Sequence, residues 1–448
     1  MQWRQEKGVR LDVNVGRSTV VLSKMVSISI AFVAVFLFGC GSAKQNGTTI
    51  TFWAIGAEGE RVAPFVREFE SLHPDIHVNL ETIPWGSAHD KLLTAYAGNA
   101  TPDLCQLGNT WIAELQAMNA IIALDSFISK SCVVRREDYF DGIWETNVVA
   151  GKVYGIPWYV DTRALFYRKD LLAQAGMTRP PEDWDELLEA ASLLTVKHEK
   201  ENKTVSYGLY LPVNPGLEWV EVFFAWQNGG EILKDNDCYA NVESPEVREG
   251  FAYYLKFFEK GYSPKESNMT TNLYQAFASG YIGMFISGPW NVYEIKQRFP
   301  SLSNKWAVAL LPANKNRASN AGGSSLVIFR SSKDKEAAWK LIEFLSTTEI
   351  QRRFHKASFD LPAVKEAWAD SSLLGDPNMR AFYKQLESAK PFPRIPEWEQ
   401  IADKMGQWIE AAVWGRYTLD EALAEMTRDI NRVLEKRRWM LKNQKTLQ

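Results

Sequence analysis

Residues 153–172 read VYGIPWYVDTRALFYRKDLL, which gathers Tyr154, Trp158, Tyr159, Phe166 and Tyr167 around one carboxylate, Asp161. Flat rings beside an acid suit a ligand with C–H faces and hydroxyl edges, because the ring covers a face while the carboxylate accepts from the edge. The pairing recurs along the chain. Trp53 precedes Glu58 in TFWAIGAEGE, Asn109 stands by Trp111 in GNTWIAEL, Trp219 and Trp226 lie in LEWVEVFFAWQNGG, Trp290 in ISGPWNVY and Trp398 in PEWEQI. Several of these mark the change from a strand-like run to a loop, the place where open α/β sheets bind ligands. Tyr154, Phe166 and Tyr167 read as packing residues instead, since LFYRKDLL has the pattern of a strand running into a helix.

Other chemistry has little support. The chain has no Walker phosphate loop, no GxGxxG after a strand, no HExxH and no GxSxG elbow. Paired carboxylates such as Glu58, Asp103 and Asp161 remain as the enzymatic alternative, a secreted glycoside hydrolase. His73 and His77 are four apart, but Pro74 between them argues against a shared helical face, so no metal site and no cofactor are expected. Cys105, Cys132 and Cys238 are widely spaced, which excludes a stapled disulfide framework and leaves one bridge optional.

The elements that must position these residues follow from periodicity. TITFW alternates as a strand; Val62, Phe65, Val66 and Phe69 make one helical face, and IHVNL alternates again, so strand, helix and strand fit a βαβ unit. A second helix is expected in SAHDKLLTAYAGN, with Ser87 as N-cap and Gly98 as its stop, before the buried-looking strand DLCQL. Later helices are expected around Trp184, Leu187, Leu188 and Ala191, over 335–346, and over 419–436 with Thr418 and Glu421 as capping pair. With 448 residues, 46% hydrophobic and 23% charged, the chain has the composition of a globular protein of two or three folded units.

The amino terminus differs. MVSISIAFVAVFLF, residues 25–38, is too short to span a bilayer comfortably and has the length of a signal-peptide apolar region. Gly39 and Cys40 follow it, as in a bacterial lipoprotein signal cleaved before a lipidated cysteine, and residues 40–48 then read as a lipidated tether. Residues 1–39 carry five basic groups (Arg4, Lys7, Arg10, Arg17, Lys24) and two acidic ones (Glu6, Asp12), so their removal takes the formal charge from −3 to −6. A mildly acidic, mixed-sign surface offers no footprint for nucleic acid.

GKVYGIPWYVDTRALFYRKDLLAQAGMTRPPEDWDELLEAASLL resembles the central signature of the extracellular solute-binding proteins of sugar-importing ABC transporters, the family that includes the maltose-binding protein. FWAIGAEGERVAPFVREFESLHPDIHV, HDKLLTAYAGNATPDL, FASGYIGMFISGPWNVYEI and GGSSLVIFRSSKDKEAAWKLIEFLSTTEIQ stand in the family's order, and the likeness runs from residue 49 to about 436. The resemblance implies a two-lobe α/β periplasmic-binding-protein fold (type II, maltose-binding-protein-like) joined by a multi-segment hinge. Lobe one would comprise 49–160 and 323–358, and lobe two 161–322 and 359–448, with crossings near Asp161, Gly322 and residue 360. It implies a monomer outside the cytoplasm that binds carbohydrate, performs no covalent chemistry and delivers its ligand to ABC permease subunits. Asp161 would take sugar hydroxyls and Trp290 would stack on a sugar face; Glu58, Asn109 and Trp111 would wall lobe one. Trp53, Trp158, Tyr159, Trp219 and Trp398 would add aromatic surface, and Gly322 and Gly323 would let backbone approach the ligand. A same-fold receptor for a polyol or sugar phosphate is the other alternative, with Arg163 and Arg394 as its candidate cations.

Overall fold

The computed structural model describes residues 47–198, 203–213, 219–265 and 273–446. The apolar run 25–38, Gly39, Cys40 and most of the expected tether lie outside the described residues, as do the five residues before Trp219. Thr48–Gln448 form one compact unit.

Two mixed sheets organise that unit. The chain enters the first through β1 (Thr48–Ile55), β2 (Ile76–Ile83), β3 (Leu104–Gly108) and β4 (Ile156–Asp161). It passes to the second through β5 (Ala164–Arg168), β6 (Val196–His198), β7 (Lys203–Tyr210), β8 (Ile282–Ser287) and β9 (Trp306–Ala309), then returns through β10 (Gly322–Ile328) and β11 (Leu361–Pro362). The first sheet runs β11-β4-β10-β3-β1-β2 and the second β9-β5-β8-β7-β6. This is the expected two-lobe α/β architecture.

The βαβ opening forms as its periodicity predicts. β1 pairs in parallel with β2 from Thr48↔Ile76 to Ile55↔Ile83, and helix α1 (Ala57–Leu72) buries Val62, Phe65, Val66 and Phe69 between them in sequence. Helix α2 (Trp85–Ala97) begins earlier than its expected cap: Pro84 is the N-cap, and Ser87 turns its hydroxyl back to Pro84 O at 3.3 Å. Gly98 does end it. Helices α3 (Trp184–Leu194), α4 (Trp290–Arg298), α5 (Lys335–Ser346), α6 (Thr348–Ser358), α7 (Pro377–Leu386), α8 (Trp398–Val413), α9 (Leu419–Val433) and α10 (Glu435–Thr446) follow. At α9 the Thr418 hydroxyl accepts from Glu421 N while the Glu421 carboxylate accepts from Thr418 N, the reciprocal box that its sequence spells.

Two crossings lie side by side. Thr162 and Arg163 join β4 to β5, and Arg163 N–H donates to Ser319 Oγ at 3.0 Å while that hydroxyl donates back to Arg163 O. Gly322 pairs with Asp161 in the first sheet. The crossing expected near residue 360 lies further on, because Leu361 and Pro362 pair with Val160 and Tyr159 of β4 and keep the chain in the first sheet. Only α7 has reached the second half, where it packs against β9.

Candidate functional site

The carboxyl ends of β1, β3 and β4, the start of α4 and the strand β10 converge between the two sheets. Glu58, in the first turn of α1, and Trp85, at the start of α2, lie together beside Gly56. Burial holds the Glu58 carboxyl above the usual carboxylate range, opposed by its own backbone, by the nearby Trp85 and by Arg61, with the charge of Asp161 adding to the rise. Asp360, just before β11, is pushed up to about 8, first by burial and then by the charge of Glu58. Glu58 Oε2 and Asp360 Oδ2 are both buried without a hydrogen-bond partner. Arg61, on the same side, donates to Ser358 O at 2.6 Å.

Asp161 closes β4 and pairs with Arg163 Nη1 at 2.7 Å. Gly322 lies opposite, and a Cβ there would fall 2.0 Å from Asp161 Oδ1, so only glycine leaves that carboxylate its place. Gly323 has φ +114°, with Tyr159 O 2.3 Å from where a Cβ would stand. Beneath them, Gln106 Nε2 and Ser324 Oγ donate to the Tyr159 phenol oxygen at 3.1 and 2.9 Å, and Gln106 Oε1 accepts from Ile55 N. This buried network ties β1, β3, β4 and β10 under the acids.

Aromatic side chains flank the acids. Trp85 is 41% exposed and meets Trp111 edge-on at 5.9 Å, and His89 lies 5.1 Å from Trp111. The hydrogen bond from His89 Nε2 to Glu114, 2.6 Å long, raises the imidazole above its ordinary range against the effect of burial. On the opposite wall Trp290 is 37% exposed, folds over Gly288, and carries the Arg163 guanidinium 4.8 Å from its ring centroid. Asn291 fixes that turn by donating to Ser287 Oγ and Gly288 O.

Elsewhere the two halves already touch. Asn109 Nδ2 donates to Ala321 O at 2.9 Å, Arg394 pairs with Glu145 at 2.7 Å, and burial raises the Glu399 carboxyl of α8, with Thr110 and the charge of His89 opposing the rise. Trp219, in a left-handed conformation before its helix, lies edge-on to Phe392 at 4.9 Å; Trp398 stacks on the same Phe392 at 5.1 Å.

Of the residues singled out in the sequence, the structure gathers Glu58, Asp161, Gly322 and Gly323 around one region, with Trp290 joined to it through Arg163. Asn109 and Trp111 stand on the adjoining wall. Trp219 is half-buried beside Phe392. Four others are core residues. Trp158 is 1% exposed, stacked on Phe354 at 4.7 Å, and Trp398 is equally buried. Trp53 is sealed beneath Lys91, 4.3 Å above its ring, and Tyr159 keeps its hydroxyl in the Gln106–Ser324 network. The reason for Trp158 is that α6 covers its face of β4: Phe354 stacks on the ring and Gln351 Nε2 donates to Trp158 O at 2.8 Å. Asp103 leaves the hydrolase alternative as well, since it accepts from Thr51 N and Ser332 Oγ at the opposite end of β3 from Asn109. Trp85, Asp360 and Arg61 were missed by the sequence reading. PWGS directly after the β2 pattern was a usable signal for Trp85, whereas Asp360 had none.

What this arrangement can do is accept hydrogen bonds through carboxyl oxygens flanked by exposed rings. A profile of the bacterial extracellular solute-binding proteins matches residues 51–352. A binding protein of Brucella abortus is 28% identical over 386 residues, 84% of this chain and 91% of its own. The diacetylchitobiose binding protein DasA of Streptomyces coelicolor is 25% identical over 421 residues, 89% of this chain and 95% of its own. Among solved structures, the sugar-binding protein MalE of Xanthomonas citri matches with a TM-score of 0.82 at 40% identity, covering 88% of this chain and 99% of that one.

Proposed function

The chain belongs to the bacterial extracellular solute-binding protein family, and on that premise we propose that it is a lipid-tethered receptor which captures a sugar or oligosaccharide between its lobes and hands it to an ABC permease. The family supplies sugar-binding components of ABC importers, and the relatives matched are binding proteins, not enzymes. Cys40, after its apolar run, is the lipidation site in this reading.

The observation that carries the proposal is the pair of buried, unpartnered acceptor oxygens on Glu58 and Asp360, set beside Asp161 and between Trp85, Trp111 and Trp290. A sugar brings hydroxyl donors for the first and C–H faces for the second. An acceptor deprived of water and of a protein donor costs stability, so a hydroxyl arriving there recovers more than it would at a hydrated carboxylate. Glu58 and Asp360 belong to the first half and Trp290 to the second, so a ligand touching all three binds the closed arrangement better than the open one and shifts the population toward it. Arg163 and Arg394 are each committed to a carboxylate, at 2.7 Å in both cases, which favours a neutral sugar over a sugar phosphate.

A thermal-shift panel of neutral mono- and oligosaccharides, polyols and sugar phosphates tests the reading, because a ligand that binds only the folded state raises Tm. At least one neutral sugar should raise it. A response confined to phosphorylated compounds, or none across the panel, would overturn the proposal.

A further inference from the structure

The carboxyl-terminal end departs from the acidic surface of the rest. Leu434 alone separates α9 from α10; its φ and ψ of −81° and 0° stay helical, its N–H reaches Ile430 O, and Arg438 N–H reaches Leu434 O. The two helices therefore read as nearly one rod. Arg428, Arg432, Lys436 and Met440 recur along it at every fourth residue, a single row on a helix. Helix α10 carries Lys436, Arg437, Arg438, Lys442 and Lys445 against Glu435, a net charge of +4 in a chain whose total is −3.

Its basic groups divide by direction. Arg437 and Arg438 turn toward the body: Arg437 faces Glu397 at 3.8 Å, and Arg438 donates to Cys238 O and Asn431 O and covers the Tyr239 ring at 5.0 Å. Lys436 and Lys442 are exposed, as are Trp439 at 67% and Met440 at 39%. Trp439 is the most exposed large apolar side chain among the described residues. Arg428 and Arg432 continue the row, each with a single-turn acidic neighbour, Glu425 and Asp429.

We propose that this face of α10 is a docking surface for an anionic phospholipid bilayer. An indole flanked by long ammonium side chains on a convex helix matches the headgroup layer, where the ring lies at the apolar boundary and the lysines reach phosphates. Net charge opposite to the lipid supplies the complementarity, and the tether proposed at Cys40 would supply the proximity. The inference rests on the tether reading for the source of the bilayer alone, so the test omits the tether.

The compact unit Thr48–Gln448, with no acyl group, is sedimented at low salt with phosphatidylglycerol-containing vesicles and with pure phosphatidylcholine vesicles. It should pellet with the first and stay in solution with the second. A Lys436→Gln, Lys442→Gln double variant should bind about 25-fold more weakly, taking about fivefold for each lysine near an anionic surface. Trp439→Ser should also release it, with circular dichroism and the sugar-induced Tm shift unchanged. No pelleting with anionic vesicles, equal pelleting with neutral ones, or variants that pellet like the parent would each overturn the proposal. Vesicle-free self-association abolished by Trp439→Ser would assign the face to a second copy and overturn it too.

Discussion

Replacing Trp290 by alanine isolates the stacking contribution from the hydrogen-bonding one. The ring is 37% exposed, and for a tryptophan of roughly 250 Å² that leaves about 90 Å² for a sugar to cover. At about 25 cal/mol per Å² this contact is worth roughly 2.3 kcal/mol. The ring is not bare, however: Arg163 lies 4.8 Å from its centroid, a contact worth about 0.5–1 kcal/mol at an exposed site, and the sugar must displace or share it. The difference, roughly 1.3–1.8 kcal/mol, corresponds to about a 10- to 20-fold rise in Kd. Isothermal titration calorimetry with a sugar identified in the panel measures it directly. Because most of the ring is covered where it packs over Gly288, the Tm of the unliganded protein should fall as well, while its circular dichroism and cooperative melt are kept. A Kd within about twofold of the parent would refute the stacking geometry.

Two further outcomes follow from groups around it. Asp360, pushed up to about 8, keeps its proton in the folded state over a range in which an unfolded aspartate, near pH 3.9, has lost it. Stability from this residue is therefore fully present below the unfolded value and lost as pH rises toward 8; Asp360→Asn should flatten that decline in urea titrations, and an unchanged slope would refute the burial argument. Gly323→Ala should cost at least about 2–3 kcal/mol in the same titrations, because the φ of +114° and the Tyr159 carbonyl 2.3 Å from the new Cβ both oppose it; an unmoved midpoint would show that β10 can shift freely.

Much of the fold was legible because its rules are local. The spacing of Val62, Phe65, Val66 and Phe69 and the Thr418–Glu421 box each specify a helix without reference to distant chain. Ser87 failed as a cap because Pro84 begins the turn first. The site was legible only in part. An aromatic at a strand end gives no sign of which way it faces: Trp290 projects toward the cleft side, whereas Trp158 lies under α6, stacked on Phe354. Asp360 escaped notice because what makes it unusual is the nearness of Glu58 and Asp161, and that is created by tertiary structure.

The order of the first sheet bears on when the protein can become itself. β10 lies between β3 and β4, so Asn109 meets Ala321 across 212 positions of sequence. A ribosome delivering the chain from its amino terminus therefore produces β1 to β4 long before the strand that must sit at their centre. Until about residue 328 emerges, β3 and β4 each lack a neighbour, and such long-range pairing is slow to close. The first sheet can therefore close only after every strand of the second has already emerged.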